Sequence, residues 1–393
     1  MQTKRTDISD YVIHFLRRQD VKDLPFVFET GGRMHLSEYE KIAQMTEMEC
    51  MFNIISEGGL RAGFSFRNGK ATIYGTKPVV CFTEMPLFNL LEYNNLRKNP
   101  YRISDYGIAV KKKDFFKKGG RPVIYGLSPN NVFEFDDSAE QNPNLRIIKE
   151  SILPLEEQYR YVAFQLGSTK NIDWTHEREW RIAGKDDIFP NIDIDDDFFR
   201  GLYLFDGEFF EEVIFIVKSR QDAVELERYI RPIQESGHTR SGLFYANIKF
   251  LVLDLAIELF NQGKLKKIED LPSNVFYTFN YIPLSQEKIE KLHQVLEFCK
   301  LEAERLRKEY LETHETRGLY GWSHIVSWEA DNPTIRYLFE NGKVDIHSGY
   351  YVLKDTFNTY SQNLDCTTFI AEAICKILNE HYENIFDVVN IYD

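Results

Sequence analysis

Apolar positions recur along the first half of the chain in two rhythms, one of period two and one of helical spacing. The stretch "YVIHFLRR" (11–18) follows a polar lead and predicts a strand or short buried element. In "SEYEKIAQMTEMECMFNIISEGGL" (37–60), Met48, Met51, Phe52 and Ile55 fall on one helical face, and Gly58-Gly59 supplies a C-terminal stop. "ATIYG" (71–75) and "PVVCFTEMP" (78–86) predict short strands broken at Gly75 and Pro78, and "LFNLLEYNNLRK" (87–98) predicts a helix. "YGIAVKKKDFF" (106–116), "KKGGRPVIYGL" (117–127) and "NVFEF" (131–135) predict strand segments, with Gly119-Gly120 as a turn. Residues 145–166 predict mostly helix, and "LGSTKNIDWTHEREWRIAG" (166–184) a polar loop running into a strand. "EEVIFIVKS" (211–219) and "RQDAVELERYI" (220–230) form a strand-then-helix pair, and "IKFLVLDLAIELF" (248–260) turns helical in its second half.

After "NQGKLKKIEDLPSN" (261–274) the texture changes. Residues 285–315 predict one long amphipathic helix, apolar at Ile289, Leu292, Leu296, Cys299, Ala303, Leu306 and Tyr310. From Gly321 a small mixed module follows: an aromatic strand in "GWSHIVSWEADNPTIRYLFENGKV" and a helix in "DCTTFIAEAICKILNEHY" (365–382), which Asp365 would cap. The expected class is α+β, with a domain over 1–270 and an accessory region over 271–393, the boundary falling near 270–284. No internal repeat is visible.

At 393 residues the chain is long enough for two domains and a sizeable core. Its 30 Phe and 22 Tyr favour strands and well-filled cores without naming a function. The net charge of −13 argues against a broad electrostatic grip on nucleic acid by the whole molecule. Lys111, Lys112, Lys113, Lys117, Lys118 and Arg121 cluster locally, as a solvated loop or strand end or as a basic groove. Cys50, Cys81, Cys299, Cys366 and Cys375 are scattered and include no C-x-x-C, so neither a disulfide framework nor a zinc site is expected. The polar start "MQTKRTDISD" predicts no secretory leader, and the apolar run 250–260 is too short and too charged to span a bilayer. The expectation is a cytoplasmic protein with no membrane partner. The acidic "NIDIDDDFFRG" (191–201) resembles a calcium loop only loosely, because the Gly and Glu that such a loop needs are not in place.

Candidate chemistry gathers in "HEREWRI" (176–182). On an extended strand Glu177 and Glu179 would point together, with Arg178 and Trp180 facing the other way. Such a pair suits reaction at an anomeric carbon: one carboxylate stabilises the cationic ribose, and the other orients or deprotonates the acceptor. His14 or an arginine on the first strand would fix the cofactor ribose or pyrophosphate. In "VVCFTEMP", Cys81, Thr83 and Met85 share one face and Phe82 and Glu84 the other. The competing reading makes E-x-E an exposed strand face and His14 a satisfied core residue. No G-x-S-x-G, G-x-x-x-x-G-K-[ST], H-E-x-x-H or G-x-G-x-x-G is present. Cys366, with His347 or His381 as base, is a weaker nucleophile candidate.

"VIHFLRR", "PVVCFTEMPL" and "YGIAVKKKDFFKKGGRPVIYG" resemble the phage abortive-infection family of bacterial defence proteins. That family has a T-H-F strand, then V-C-F-x-D-x-P-L, then a glycine–apolar strand with K-K. "WTHEREWRI" is similar to the [YW]-x-x-E-x-E-[WY]-R motif of related bacterial proteins. The likeness covers roughly residues 10–183. The strand order ending in E-x-E also resembles the ADP-ribosyltransferase superfamily, including DarT-like enzymes that modify nucleic acid. The resemblance implies an ADP-ribosyltransferase-like split mixed sheet with helices, NAD+ as substrate, no metal, and Glu179 as catalytic glutamate. Glu177 would belong to the substrate-recognition turn and Thr83 to the nicotinamide pocket, with His14 at the NAD ribose, a place that Arg17 or Arg18 would otherwise take. It further implies a toxin effector with an antitoxin partner, transferring ADP-ribose to a macromolecule, RNA or DNA in preference to protein. The alternatives are a non-enzymatic defence or antitoxin binding module, an NAD glycohydrolase, and a nuclease.

Overall fold

The structure, a computed structural model, describes residues 7–18, 45–67, 70–97, 104–127, 145–167, 171–184, 201–205, 210–239, 242–243, 246–263, 267–314, 319–347, 349–354, 357 and 362–392. The expected strand at 131–135 and nearly all of the acidic segment 191–201 lie outside these residues. The chain divides into two compact units: Met1–Ala223 with His238–Thr278, and Val224–Gly237 with Phe279–Asp393. The fold is mixed α+β, with a large mixed sheet and, among the described residues, nine helices.

The first unit is built on eight strands: β1 (Tyr11–Phe15), β2 (Val79–Thr83), β3 (Gly107–Lys111), β4 (Arg121–Pro122), β5 (Glu179–Ala183), β6 (Glu212–Val217), β7 (Asn247–Val252) and β8 (Phe276–Tyr277). Their order across the sheet is β8-β7-β6-β3-β1-β2-β5-β4. Only β6 and β7 pair in parallel, and the other neighbours are antiparallel. The helices are α1 (Glu47–Glu57), α2 (Leu87–Arg97), α3 (Lys112–Lys118), α4 (Leu155–Gln158), α5 (Arg220–Ser236) and α6 (Leu253–Asn261). The first residues of α5, up to Ala223, belong to this unit and the rest of the helix to the second.

Sheet register divides the side chains into two faces, because cross-strand partners share a face and neighbours along a strand alternate. Ile13 pairs with Thr83 and with Ala109, and Ala109 with Ile214. This face is covered by Leu87, Leu90 and Leu91 of α2 and by Leu253, Ala256 and Phe260 of α6, in one buried cluster with Tyr11, Ile216 and Leu251. On the opposite face Phe82 packs against Phe115 of α3, the rings tilted 47° and 4.5 Å apart between centroids.

Several expectations hold and several do not. α1 starts at a Thr46 capping box with Glu49 and ends at Gly58, whose φ of 79° is the left-handed C-cap foreseen there. "KKKDFF" is a helix rather than the end of a strand. The β3 ladder stops at Lys111, and Gly119 (φ 114°) closes α3 by donating to Phe115 and Phe116 carbonyls, which leaves Phe115 buried and Phe116 outside. Residues 145–166 are not mostly helical, since only the four residues of α4 are. The buried Gln158 side chain replaces a backbone ladder there, bonding Ile148 N and O and Leu153 O, while Tyr161–Val162 pairs in parallel with Ile124–Tyr125. Of "ATIYG" only Ala71 is in a strand, Lys70–Ala71, with an isolated bridge from Tyr74 to Arg146, and the chain turns at Gly75 (φ 81°).

The second unit places α7 (Gln286–Thr313), α8 (Pro333–Glu340) and α9 (Leu364–His381) with a four-stranded sheet. Its strands are β9 (Gly321–Ser327), β10 (Val344–His347), β11 (Tyr350–Leu353) and β12 (Asp387–Tyr392), in the order β10-β11-β9-β12. α7 buries Leu292, Leu296, Cys299, Ala303, Leu306 and Tyr310, six of the seven positions read from its spacing, and Val295 besides; Ile289 is only half-buried. α9 begins two residues earlier than expected, with Asn363 rather than Asp365 as the cap, its Oδ1 accepting from Cys366 N at 3.0 Å. Within this unit Arg336 of α8 is 4% exposed and forms two hydrogen bonds to the Glu235 carboxylate, whose Oε2 also accepts from Tyr351 at 2.6 Å.

Candidate functional site

Glu177 and Glu179 do not share a strand face. Glu177 ends a single turn of 3-10 helix (Thr175–Glu177), and Arg178 takes a left-handed conformation (φ 44°), so β5 begins at Glu179. A non-glycine residue at positive φ re-aims the chain by one residue. The Thr83 hydroxyl pins this turn: it donates to the Glu177 carbonyl and accepts from Met85 N at 3.0 Å. Glu84 N donates to Arg178 O at 3.0 Å, and Val123 N to Glu179 O at 3.0 Å, tying the turn to both neighbouring strands.

Glu179 lies opposite Thr83, and Arg181 opposite Cys81. The Glu179 carboxylate is gripped by the buried Arg181, with Nε to Oε1 at 2.8 Å and Nη2 to Oε2 at 3.0 Å. Arg181 Nη1 donates to the carbonyls of Tyr159 (2.6 Å) and Tyr161 (3.2 Å), so the guanidinium is fixed from two sides. Burial, with the Glu179 charge beside it, pushes the Cys81 thiol far up, which makes Cys81 an inert neighbour rather than a nucleophile. Tyr125 accepts from Glu179 N at 3.0 Å, and burial raises its phenol to about 12.

A concave cavity of about 340 Å³ opens at this end of β2 and β5, lined by Asp7, Ile8, Glu84, Pro122, Val123, Tyr125, Thr175, Arg178, Glu179 and Trp180. With Asp7 and Glu179, Glu84 is one of three carboxylates in its lining. Trp180 Nε1 donates to Glu84 Oε2 at 2.9 Å, and Lys112 Nζ donates to Oε1 at 2.8 Å. Arg178, half-exposed, bonds the Asp7 carbonyl and sits 3.6 Å from its carboxylate.

The sequence-derived candidates therefore separate. Thr83, Glu177 and Glu179 come together at the turn, but of these only Glu179 lines the cavity. His14 is one residue out of phase with Ile13, so it projects on the face of Phe82, with ring centroids 5.5 Å apart, opposite to Glu179. Its Nδ1 lies 2.8 Å from Cys81 O, where the β1–β2 ladder has a single register pair. A carbonyl only accepts, so Nδ1 carries the proton, and burial lowers the His14 pKa and favours the neutral ring. Arg17 bonds Ser65 Oγ at 3.0 Å, and Arg18 lies 3.4 Å from Glu47. Cys366 is buried, and burial raises its thiol. Among the described residues no group of three or more His, Cys, Asp or Glu is placed to hold a metal ion, and no helix is long and apolar enough to cross a membrane.

Sequence reasoning missed Glu84, Lys112, Tyr125 and Arg181. Alternation in "CFTEMP" already put Glu84 on the face of Phe82; what it lacked was the knowledge that Trp180 returns to that face from 96 residues away. No family model, curated protein or solved structure matches the chain, so its likeness to the abortive-infection and ADP-ribosyltransferase families rests on the quoted motifs.

Proposed function

We propose that the first unit transfers the ADP-ribosyl group of NAD+ to a macromolecular acceptor, nucleic acid in preference to protein, as a toxin effector in bacterial phage defence restrained by an antitoxin. The observation that carries this reading is that two glutamates from opposite faces of the sheet, Glu84 and Glu179, line one cavity, each held by a cation (Lys112 and Arg181). At about 340 Å³ the cavity falls within the roughly 300–1,000 Å³ of small-molecule sites. In the reaction the bond between ribose C1′ and the nicotinamide nitrogen breaks, its electron pair leaving with neutral nicotinamide. An acceptor oxygen or nitrogen then bonds C1′ and gives up a proton. Glu179, held in place by Arg181, stabilises the cationic ribose, and Glu84 takes the acceptor proton. Thr83 acts as a positioning residue through the Glu177 carbonyl. In this reading the sheet belongs to the split, ADP-ribosyltransferase-like type, and the single-pair contact between β1 and β2 supports that.

The test is to incubate the full chain and its Glu179→Gln and Glu84→Gln variants with labelled NAD+, total nucleic acid and total protein. Label in a polymer with wild type, and its loss in both variants, is the expected result. NAD+ loss without label in any polymer would convert the reading to hydrolysis. No NAD+ consumption, with equal growth inhibition by all three forms, would sink it.

A further inference from the structure

The geometry points to a docking strip for single-stranded nucleic acid on α3 and β4, running directly into the cavity. Lys113, Phe116 and Lys117 stand at i, i+3 and i+4 on the outer face of α3, and all three are exposed. Phe116 is 49% exposed, on a helix whose other phenylalanine, Phe115, is fully buried. Arg121 places its guanidinium 4.0 Å over the Phe116 ring and is locked there by Nη1 bonds to the carbonyls of Phe116 and Gly120, both 2.8 Å. Lys117 is 65% exposed and makes only a long ion pair, 3.8 Å, to Asp114. Lys111 and Lys112 do not count toward the strip, because both are only half-exposed, and Lys112 is held by Glu84 at 2.8 Å.

Two exposed lysines and a half-exposed arginine around an exposed aromatic ring suit a flexible polyanion with planar bases: the cations meet phosphates, and the ring and guanidinium offer a stacking platform. On a chain of net charge −13 the strip is complementary to such a polymer where the whole molecule is not. Its placement gives it a use. The residue after Arg121 is Pro122, which pairs with Trp180 and forms cavity wall with it, so a strand lying on Phe116 is led toward Glu84 and Glu179. That use rests on the function proposed above, whereas the binding itself does not.

The experiment is fluorescence anisotropy of a labelled 20-nucleotide single strand with the full chain and no NAD+. Binding with Kd about 10⁻⁴–10⁻⁶ M near physiological salt is expected, with log K falling against log salt at a slope of about −2 for three phosphates. Phe116→Ala should weaken binding about 5- to 160-fold. Lys113→Glu with Lys117→Glu should flatten the salt slope to below about 1. Lys288→Glu with Lys291→Glu on α7 should change nothing, and circular dichroism confirms folding of each variant. Absence of salt-dependent binding, unchanged affinity in the folded Phe116→Ala and Lys113/Lys117 variants, or equal binding of duplex or poly-glutamate would each overturn the inference. Oligonucleotide binding without any NAD+ consumption would retire the catalytic proposal and leave this one standing; NAD+ consumption without oligonucleotide binding would do the reverse.

Discussion

Glu179→Gln keeps the size of the side chain and removes its charge, and the structure sets what that costs. Arg181 is 5% exposed, and its only carboxylate partner among its described hydrogen bonds is Glu179. Breaking a buried ion pair by removing one partner costs roughly 3–5 kcal/mol, because the remaining charge is left uncompensated. Here the lower end applies: the carbonyls of Tyr159 and Tyr161 still accept from the guanidinium, and the glutamine oxygen still offers one acceptor. A loss of about 3 kcal/mol corresponds to a Tm drop of about 6–12 °C for a domain of this size. Thermal and urea unfolding followed by circular dichroism measure it, with an unchanged urea slope as evidence that the same structure is unfolding. Arg181→Met added to Glu179→Gln should give back at least about 1 kcal/mol relative to the sum of the single changes. A Glu179→Gln protein within about 1 kcal/mol of wild type would refute the reasoning, because Arg181 would then be solvated or otherwise paired. It would also remove the stability penalty from the interpretation of any lost activity.

Three further outcomes follow from groups described above. His14 has a lowered folded pKa, from burial first, so its contribution to stability is complete above the unfolded value of 6.5 and is lost as pH falls below it. Wild type should lose up to about 1.4 kcal/mol per pH unit below pH 6.5, and His14→Gln should flatten that slope in urea titrations run at successive pH values. Glu235→Ala leaves the buried Arg336 charge unpaired and should cost the second unit about 3–5 kcal/mol in the same assay, more than Glu302→Ala on the exposed face of α7, at about 0–1 kcal/mol. Gly119→Ala should destabilise by about 1 kcal/mol through its φ of 114° alone, since a Cβ there would meet only Ile182, at 3.9 Å; an unchanged midpoint would count against the left-handed end of α3.

What the sequence displayed was local. The strands β2 and β6, the face of α7 and the glycine stop after α1 are legible because each depends on residues within one or two turns of each other; of α3 only the break at Gly119 was, not the helix before it. The turn at Arg178 was not legible. Nothing in "HEREWRI" signals that a non-glycine residue will adopt positive φ, and what holds it there, the Thr83 hydroxyl on the Glu177 carbonyl, is 94 residues distant. The same limit hid Glu84. Its neighbours in sequence suggest a strand end, and only the return of β5 beside β2 gives it an indole N–H partner. Helix was overcalled at 145–166 because Gln158, a good helix former, spends its amide on Ile148 and Leu153 backbone instead.

The division of α5 between the two units has a consequence in time. Residues 224–237 leave the ribosome with the first unit, but the partner of Glu235, Arg336, lies 101 residues further along. At about 5–20 residues per second, that helix waits roughly 5–20 s with a charged, half-apolar face uncovered. A fragment released before the last quarter is translated would hold α5 in that unpartnered state permanently.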